Sequence, residues 1–416
     1  MSSCSSETCL SYSSPARGGW SIVRMALQVP ESYQLFVGPA ACMRHIILSS
    51  MELKIDDRIS WMSIDESDIV SGGYERQILE TADGLLASLS PRPKVFMIFT
   101  TCIDNLLGTD HASFLEPLNE KYPGTRCIVC FMNPITGDGP LPPAIHIQDS
   151  MYGLLKAPDG QDRAVNFLGD NLAPEADCEL LLHLKENGIA CRHISQCSTF
   201  EEFQKMARSQ LNIVVTPLAV YAAKQLQKRL GMDWIYLPVG YDREEIEQGV
   251  AAVCDRLNIG RPDTSHDWER VEAAIARARD ALHGRRVAVD YAATYRPFGI
   301  AQLLAQHGIA VSTIFTSECI PADQPAMQWV TKHLPEVKIL QPEHFRMVNG
   351  CEPEPDCLCI GFECAYYLKS PYVVPLSADG DHYGCAGVIR LMNRIAEGCN
   401  RSYNLEKLVK DSGLVV

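Results

Sequence analysis

Several features that identify common classes of protein are missing from this sequence. Its 416 residues contain neither GxGxxG nor GxxxxGK[ST], so the chain lacks both of the usual glycine-rich loops that bind nucleotide phosphates. No run of about 18 apolar residues is present, which excludes a membrane-spanning helix. The N-terminus has no basic start followed by an apolar run, so it does not resemble a signal peptide. We therefore expect a cytoplasmic protein with no membrane partner.

Basic residues are also scarce. Lys and Arg number 37 against 51 Asp and Glu, which gives a formal net charge of −14. A protein that binds nucleic acid or an anionic membrane surface needs positive charge facing the phosphates, so we expect neither partner. Hydrophobic residues make up 46% of the chain, enough to build the cores of two or three domains.

Cysteine, by contrast, is abundant. The chain has 17 cysteines, fewer per residue than a disulfide-stapled secreted scaffold. Cytoplasmic thiols stay reduced, so these residues are either small core side chains or metal ligands. We predict that most of them are core residues.

Short apolar runs alternate with helical patterns along the chain. This alternation predicts strand–helix–strand units with parallel strands buried on both faces. The predicted strands are Gln34–Gly38, Lys94–Thr100, Arg126–Phe131, Ala164–Gly169, Leu211–Thr216, Arg285–Asp290, Ile309–Phe315 and Asp356–Gly361. The pattern restarts near Ala164 and near Gly284. We therefore expect three Rossmann-like, doubly wound α/β domains over residues 1–160, 161–282 and 283–416.

A few cysteines lie where open α/β sheets bind ligands, just beyond the carboxyl ends of strands. Cys42 follows the strand that ends at Gly38, and Cys102 follows the strand that ends at Thr100. Cys9 and Cys4 precede the first predicted strand in a loop rich in serine and glycine. Thiolates are the usual ligands of iron–sulfur clusters, so these cysteines are candidate ligands. The spacing between them is long, and buried or incidental thiols remain the alternative.

Four segments resemble the nitrogenase component 1 superfamily. Gln34–His45 (QLFVGPAACMRH) resembles its H-G-P-x-G-C segment, and Thr101–Asp110 (TCIDNLLGTD) resembles the cysteine segment that ends in L-I-G-D-D. Phe203–Gly231 resembles the strand and helix of the second domain, and Tyr383–Leu391 (YGCAGVIRL) resembles a helix start in the third. The segments occur in the family's order along nearly the whole chain.

The resemblance implies a shared metal site. In this superfamily two related subunits pair, and cysteines of both first domains hold an iron–sulfur cluster at their interface. Carried over, Cys42 and Cys102 are ligands of a 4Fe–4S or an 8Fe–7S (P-cluster type) cluster. The direct match to the third family cysteine is Ser14; we prefer Cys9, five residues earlier, with Cys4 and Ser14 as alternatives. The implied partners are a homologous α-type subunit in an α2β2 assembly and an ATP-dependent iron protein.

One departure from the family pattern bears on the activity. Nitrogenase α-type subunits carry a cofactor-binding cysteine after the second-domain strand, where this chain has Thr216 followed by Pro217. A hydroxyl is a poor ligand for cluster iron compared with a thiolate. The chain therefore resembles a β-type partner, and we predict that the Thr216 hydroxyl caps the helix that Pro217 begins.

Other candidate residues have simpler alternatives. The family's cofactor-binding histidine lies near the turn that contains His382, which makes His382 a weak catalytic candidate against a capping or surface histidine. Cys385, at a helix start, would have an acidified thiol, although packing is the preferred interpretation. Asp104 and Asp110 flank the Cys102 segment and either tune a cluster or, as we prefer, cap helices. A further ligand set is considered and disfavoured: Cys351, Cys357, Cys359 and Cys364.

The resemblance implies an oxidoreductase. The expected function is that of a subunit in a nitrogenase-like reductase, relaying electrons from the iron protein to a catalytic metallocofactor held mainly by the partner. Among relatives, a methylthio-alkane reductase, which cleaves C–S bonds of small organic sulfur compounds, fits the departures from nitrogenase. The alternatives are a subunit of a tetrapyrrole reductase and a non-catalytic scaffold for cofactor assembly.

Overall fold

The computed structural model describes residues 10–17, 22–132, 142–377 and 382–412. Within them the chain forms three α/β units, each built on one parallel sheet. The expected fold class, three doubly wound parallel-sheet domains, is confirmed.

The first sheet has four parallel strands in the order β2-β1-β3-β4. Its strands are β1 (Ser32–Gly38), β2 (Ile59–Ser63), β3 (Val95–Thr100) and β4 (Arg126–Phe131). The helices of this part of the chain are α1 (Ile22–Ala26), α2 (Ala40–Leu53), α3 (Glu66–Val70), α4 (Tyr74–Ser88), α5 (Cys102–Leu107), α6 (Ala112–Lys121) and α7 (Pro143–Gly153).

The second sheet repeats the same order, β6-β5-β7-β8. Its strands are β5 (Asp162–Leu168), β6 (Ala190–Arg192), β7 (Ser209–Val214) and β8 (Asp233–Tyr236). The helices are α8 (Glu179–Glu186), α9 (Phe200–Gln204), α10 (Val220–Leu230), α11 (Arg243–Leu257) and α12 (Ser265–Leu282).

The third sheet has five strands in the order β11-β10-β9-β12-β13. They are β9 (Val287–Asp290), β10 (Val311–Phe315), β11 (Lys338–Leu340), β12 (Leu358–Ile360) and β13 (Val373–Val374). The helices are α13 (Pro297–Gln306), α14 (Gln324–His333), α15 (Phe362–Leu368), α16 (Gly384–Gly398) and α17 (Leu405–Asp411).

Burial explains why the central strands form. Every residue of β3 is buried, and so is every residue of β9 and of β10, because helices cover both faces of each sheet. Helix α12 buries apolar side chains three and four residues apart, a stripe that includes Trp268, Val271, Ile275 and Leu282, and it packs against α16. The second-domain helix α12 is thereby part of the third domain's core.

Each sheet has one point at which the strand order reverses. The reversal lies between β1 and β3 in the first sheet, between β5 and β7 in the second, and between β9 and β12 in the third. At such a switch point the two following loops diverge to opposite faces and leave a crevice at the carboxyl ends, where doubly wound proteins bind ligands. Each of the three switch points is therefore a candidate ligand-binding site.

Candidate functional site

The first switch point carries two accessible cysteines. Cys42 lies in the first turn of α2, which follows β1, and its side chain is exposed. Cys102 is the first residue of α5, which follows β3, and it is partly exposed. β1 and β3 are hydrogen-bonded neighbours, so both helices begin at the same crevice. The structure thus places both predicted ligands at one switch point.

The backbone approaches closely in this crevice. Gly38 ends β1, and a Cβ atom built on it would lie 2.6 Å from Cγ2 of Thr101, so only glycine fits without a shift. The hydroxyls of Thr100 and Thr101 are buried and have no hydrogen-bond partner among the described residues. Buried polar groups are normally paired, so two orphaned hydroxyls beside Cys102 are the kind of feature that a bound group explains.

The donor chemistry fits an iron–sulfur cluster, although the described residues do not complete a ligand set. Thiolates are the usual cluster ligands, and Cys42 and Cys102 supply two of them. No group of three His, Cys, Asp or Glu residues able to hold a metal ion occurs within the described ranges. Further ligands would come from Cys9 or Cys4, which lie outside the described residues, or from a second chain.

Ser14, the alternative third ligand, lies in an N-terminal segment that packs against the third domain. Its hydroxyl is buried and donates a hydrogen bond to Oε1 of Glu363 at 2.8 Å. The neighbouring Arg17 forms an ion pair with Glu343, which also belongs to the third domain. Burial raises the pKa of Glu363 to about 7. Because the Ser14 hydroxyl is already paired, the preference for Cys9 is retained.

The second switch point is closed by the chain's own atoms. Thr216 precedes the turn that Pro217 begins, as predicted, but its hydroxyl does not cap that turn. It donates instead to the carbonyl of Gly169, at the end of the neighbouring strand, at 2.9 Å. The predicted cap is therefore wrong, because the pairing of β5 with β7 brings the Gly169 carbonyl within hydrogen-bonding distance of the hydroxyl. At this position, where α-type subunits carry a cysteine, the hydroxyl is buried and engaged.

The third switch point is closed by a buried carboxylate. Oδ2 of Asp290 accepts the N–H groups of Glu363 at 2.9 Å and of Cys364 at 3.0 Å, at the start of α15. Its Oδ1 accepts the N–H of Ala293. Burial raises the pKa of Asp290, while these N–H groups lower it. Gly361, at φ 110°, gives the carboxylate room, since any Cβ there would overlap it. The Asp290 carboxylate thus occupies the place at the start of α15 where an anionic ligand would otherwise bind.

His382, the weak catalytic candidate, is neither exposed nor a cap. Its ring is buried, with Nδ1 3.2 Å from the Gly387 carbonyl and Nε2 3.3 Å from Nη1 of Arg394. A carbonyl only accepts, so Nδ1 carries the proton and Nε2 accepts from the guanidinium. The first N–H groups of α16 go to the buried carboxylate of Glu179. Burial raises the pKa of Cys385, so its thiol is a packing group and is not acidified.

The disfavoured ligand set is also part of the core. Cys357, Cys359 and Cys364 are buried among third-domain side chains, and burial raises the pKa of Cys364 to about 12. Cys351 donates through Sγ to the Tyr367 carbonyl. The cysteines expected to be core or surface residues are buried or partly buried: Cys127, Cys130, Cys178, Cys191, Cys197, Cys254, Cys319, Cys385 and Cys399.

Only one of the two aspartates near Cys102 acts at a helix start. Asp110 accepts the N–H of Ala112 through Oδ1 at 3.1 Å, at the start of α6. Asp104 does not cap; its carboxylate is buried, 2.8 Å from Nε2 of His111 and 3.4 Å from the Tyr74 hydroxyl. The cap expected at Asp104 is wrong because its side chain points into the domain.

Three buried carboxylates accept N–H groups at helix starts, and none of them was predicted from the sequence. Asp290 serves α15 and Glu179 serves α16, as described above, and Asp323 accepts the N–H groups of Phe298 and Gly299 at the start of α13. For Asp290 a signal was present, since an aspartate directly ends an apolar strand and so lies at the carboxyl edge of the sheet. Glu179 and Asp323 act on helices distant in sequence and carry no local signal.

None of the described helices is both long and apolar enough to cross a membrane.

Comparison with known proteins agrees with this architecture. The model of the nitrogenase component 1 type oxidoreductase family matches residues 20–400. The nitrogenase iron-molybdenum cofactor biosynthesis protein NifE of Clostridium pasteurianum is 23% identical over 319 residues, which are 73% of this chain and 68% of that protein.

Solved structures of nitrogenase Cp1 share the fold. The structure at pH 6.5 has a TM-score of 0.67 and 16% identity, and the match covers 95% of this chain and 94% of that one. The structure at pH 5 has a TM-score of 0.58 and 13% identity, with 92% and 88% covered. With the family match over most of its length, the chain belongs to the nitrogenase component 1 type oxidoreductase family.

Proposed function

We propose that the chain is one subunit of a nitrogenase-like reductase and holds an iron–sulfur cluster jointly with a homologous α-type subunit. The observation that carries the proposal is the contrast among the three switch points. The first presents two accessible thiols, whereas the second and third are closed by the chain's own side chains. Cys42 and Cys102 would hold the cluster, with Cys9 as the third ligand and Cys4 or Ser14 as alternatives.

The surface around Cys102 supports a site completed by a second chain. Leu106 lies four residues after Cys102 on α5, hence on the same side of the helix, and is 83% exposed. Leu107, the last residue of α5, is also exposed. Exposed apolar side chains beside incomplete metal ligands are typical of a contact surface between subunits. Ligands contributed by two chains also link pairing to metal binding.

The closed second switch point supports a relay role. With the Thr216 hydroxyl bound to Gly169 and His382 bound to Gly387 and Arg394, neither residue is available to anchor a catalytic cofactor. When bound, a shared cluster supplies one-electron transfer between an ATP-dependent iron protein and a metallocofactor held mainly by the partner. Among reductions of small molecules, we propose C–S cleavage of methylthio-alkanes as the first substrate class to test.

Two substitutions test the cluster. Cys42→Ala and Cys102→Ala should each lower the iron content of the complex purified anaerobically with its partner, because each removes a thiolate. Cys351→Ala, which removes a partly exposed thiol in the third domain, is the matched control and should keep its iron. Full iron content with an unchanged EPR spectrum of the reduced complex in both variants would refute the assignment.

A second function is favoured by one comparison. The NifE relative is a cofactor biosynthesis protein, so we also consider a scaffold that holds a maturing cluster and turns nothing over. The two functions differ in what the loaded complex does. A reductase consumes ATP and an alkyl thioether when given its iron protein, whereas a scaffold transfers its metal to an acceptor protein and reduces no substrate.

A further inference from the structure

A buried carboxylate lies two residues after Cys102. Asp104 is 2% exposed, in the first turn of α5, and its backbone N–H bonds to the Thr101 carbonyl. Its carboxylate is held from two other elements, by Nε2 of His111 at 2.8 Å and by the Tyr74 hydroxyl at 3.4 Å. These contacts tie α5 to α4 and to the start of α6, and so fix the turn that carries Cys102.

Among the described residues, no permanent cation balances the Asp104 charge. The ion pairs of the described residues give Asp104 one partner, His111, and no lysine or arginine. The other contact is Tyr74, which is buried and whose pKa is raised by burial and by Asp104, so it acts as a neutral donor. The rings of Phe114 and Phe131 flank His111 at 5.9 Å and 5.4 Å, and the Asp104 carboxylate lies almost wholly out of water although the His111 side chain is 28% exposed. A charge in such surroundings acts over a longer range than one in water.

We propose that Asp104 is a positioning residue that orients Cys102 and, through its buried charge, lowers the reduction potential of the group that Cys102 ligates. The inference rests on the proposed function, since it needs a cluster at the first switch point. Net charge and hydrogen bonding around a cluster are established determinants of its potential. His111 and Tyr74 hold the carboxylate in place and moderate its charge by donating to it.

Redox titration of the complex, followed by EPR, tests this assignment. Asp104→Asn removes the charge and keeps the shape, so at a fixed solution potential the reduced-to-oxidised ratio should rise about tenfold, equal to about 59 mV for a one-electron couple. Asp110→Asn is the matched control, because it changes an exposed aspartate of the same segment and should leave the ratio unchanged.

A second variant keeps the test decisive if Asp104→Asn fails to assemble. Tyr74→Phe deletes one donor to the carboxylate, which strengthens its negative field, so the ratio should fall. General loosening of the site would not move the two variants in opposite directions. Unchanged potentials in iron-loaded Asp104→Asn and Tyr74→Phe would overturn the inference and leave the proposed function standing. A wild-type complex without iron would instead refute the proposed function itself.

Discussion

One hydroxyl closes the second switch point, and removing it tests the division of labour between the subunits. Thr216→Val nearly preserves the shape of the side chain and deletes only the donor to Gly169. Thr216 is 3% exposed, so water cannot readily replace the lost bond. Thr216→Ser is the matched control, because it keeps the hydroxyl and loses a methyl group.

The expected cost follows from the geometry. The bond is 2.9 Å long and buried, and a neutral hydrogen bond of this kind contributes about 0.5–1.5 kcal/mol net. Its loss also leaves a buried carbonyl without its partner, which raises the cost to about 1–3 kcal/mol. Thr216→Ser should cost less than about 1 kcal/mol, the value of one buried methyl group.

Urea denaturation measures the free energy of unfolding, and metal analysis of the complex completes the experiment. We expect Thr216→Val to lower stability while iron content and turnover per folded complex stay at the wild-type level. If stability is unchanged, the bond does not hold the switch point closed. If Thr216→Val abolishes turnover while fold and iron are normal, Thr216 is catalytic and the relay assignment is wrong.

Two further predictions concern the third domain. Gly361→Ala should lower the free energy of unfolding by about 2–5 kcal/mol, because the strain of a positive φ and the overlap with the Asp290 carboxylate add together. Gly188→Ala introduces only the strain of a positive φ, which costs about 1–2 kcal/mol. Urea denaturation of both variants separates the two contributions. Burial raises the pKa of Glu363 from 4.5 to about 7, so its favourable contribution is complete below pH 4.5 and is lost as the pH rises through 7. Relative to Glu363→Gln, the wild type should lose up to about 3 kcal/mol over that range; a pH-independent difference would contradict the burial argument.

The strands that could be predicted from the sequence are mainly the central ones. The run Lys94–Thr100 identifies the central strand β3 almost to the residue, and the apolar run Arg126–Phe131 identifies β4 even though it lies at an edge. The strands that the sequence did not predict are β2, β6, β8, β11 and β13, and each is the outermost strand at one edge of its sheet. Most are short and partly exposed, with burial on few positions, so no continuous apolar run marks them.

The residues of the candidate site also fall into those that the sequence places and those that depend on tertiary contacts. Cys42 and Cys102 could be placed because each lies a few residues after the end of an apolar strand, and the ends of parallel strands share one edge of the sheet. The hydroxyl bond of Thr216 could not be predicted, because its acceptor is 47 residues away and depends on the exact register of β5 and β7. The local sequence suggests a helix cap, whereas a contact between neighbouring strands decides which group the hydroxyl binds.

The three switch points differ in whether the chain's own described atoms satisfy the polar groups at the strand ends. Parallel topology leaves a crevice at each, with backbone groups that need partners. In the second sheet a threonine hydroxyl meets that need, and in the third an aspartate does so at the start of a helix. A ligand at either place would have to displace an internal bond and leave a buried polar group unpaired. At the first, the buried hydroxyls of Thr100 and Thr101 have no partner among the described residues, while the thiol of Cys42 is exposed and that of Cys102 is partly exposed. This contrast supports the proposal that a resident metal group binds at the first switch point and that a catalytic cofactor is held mainly by the partner.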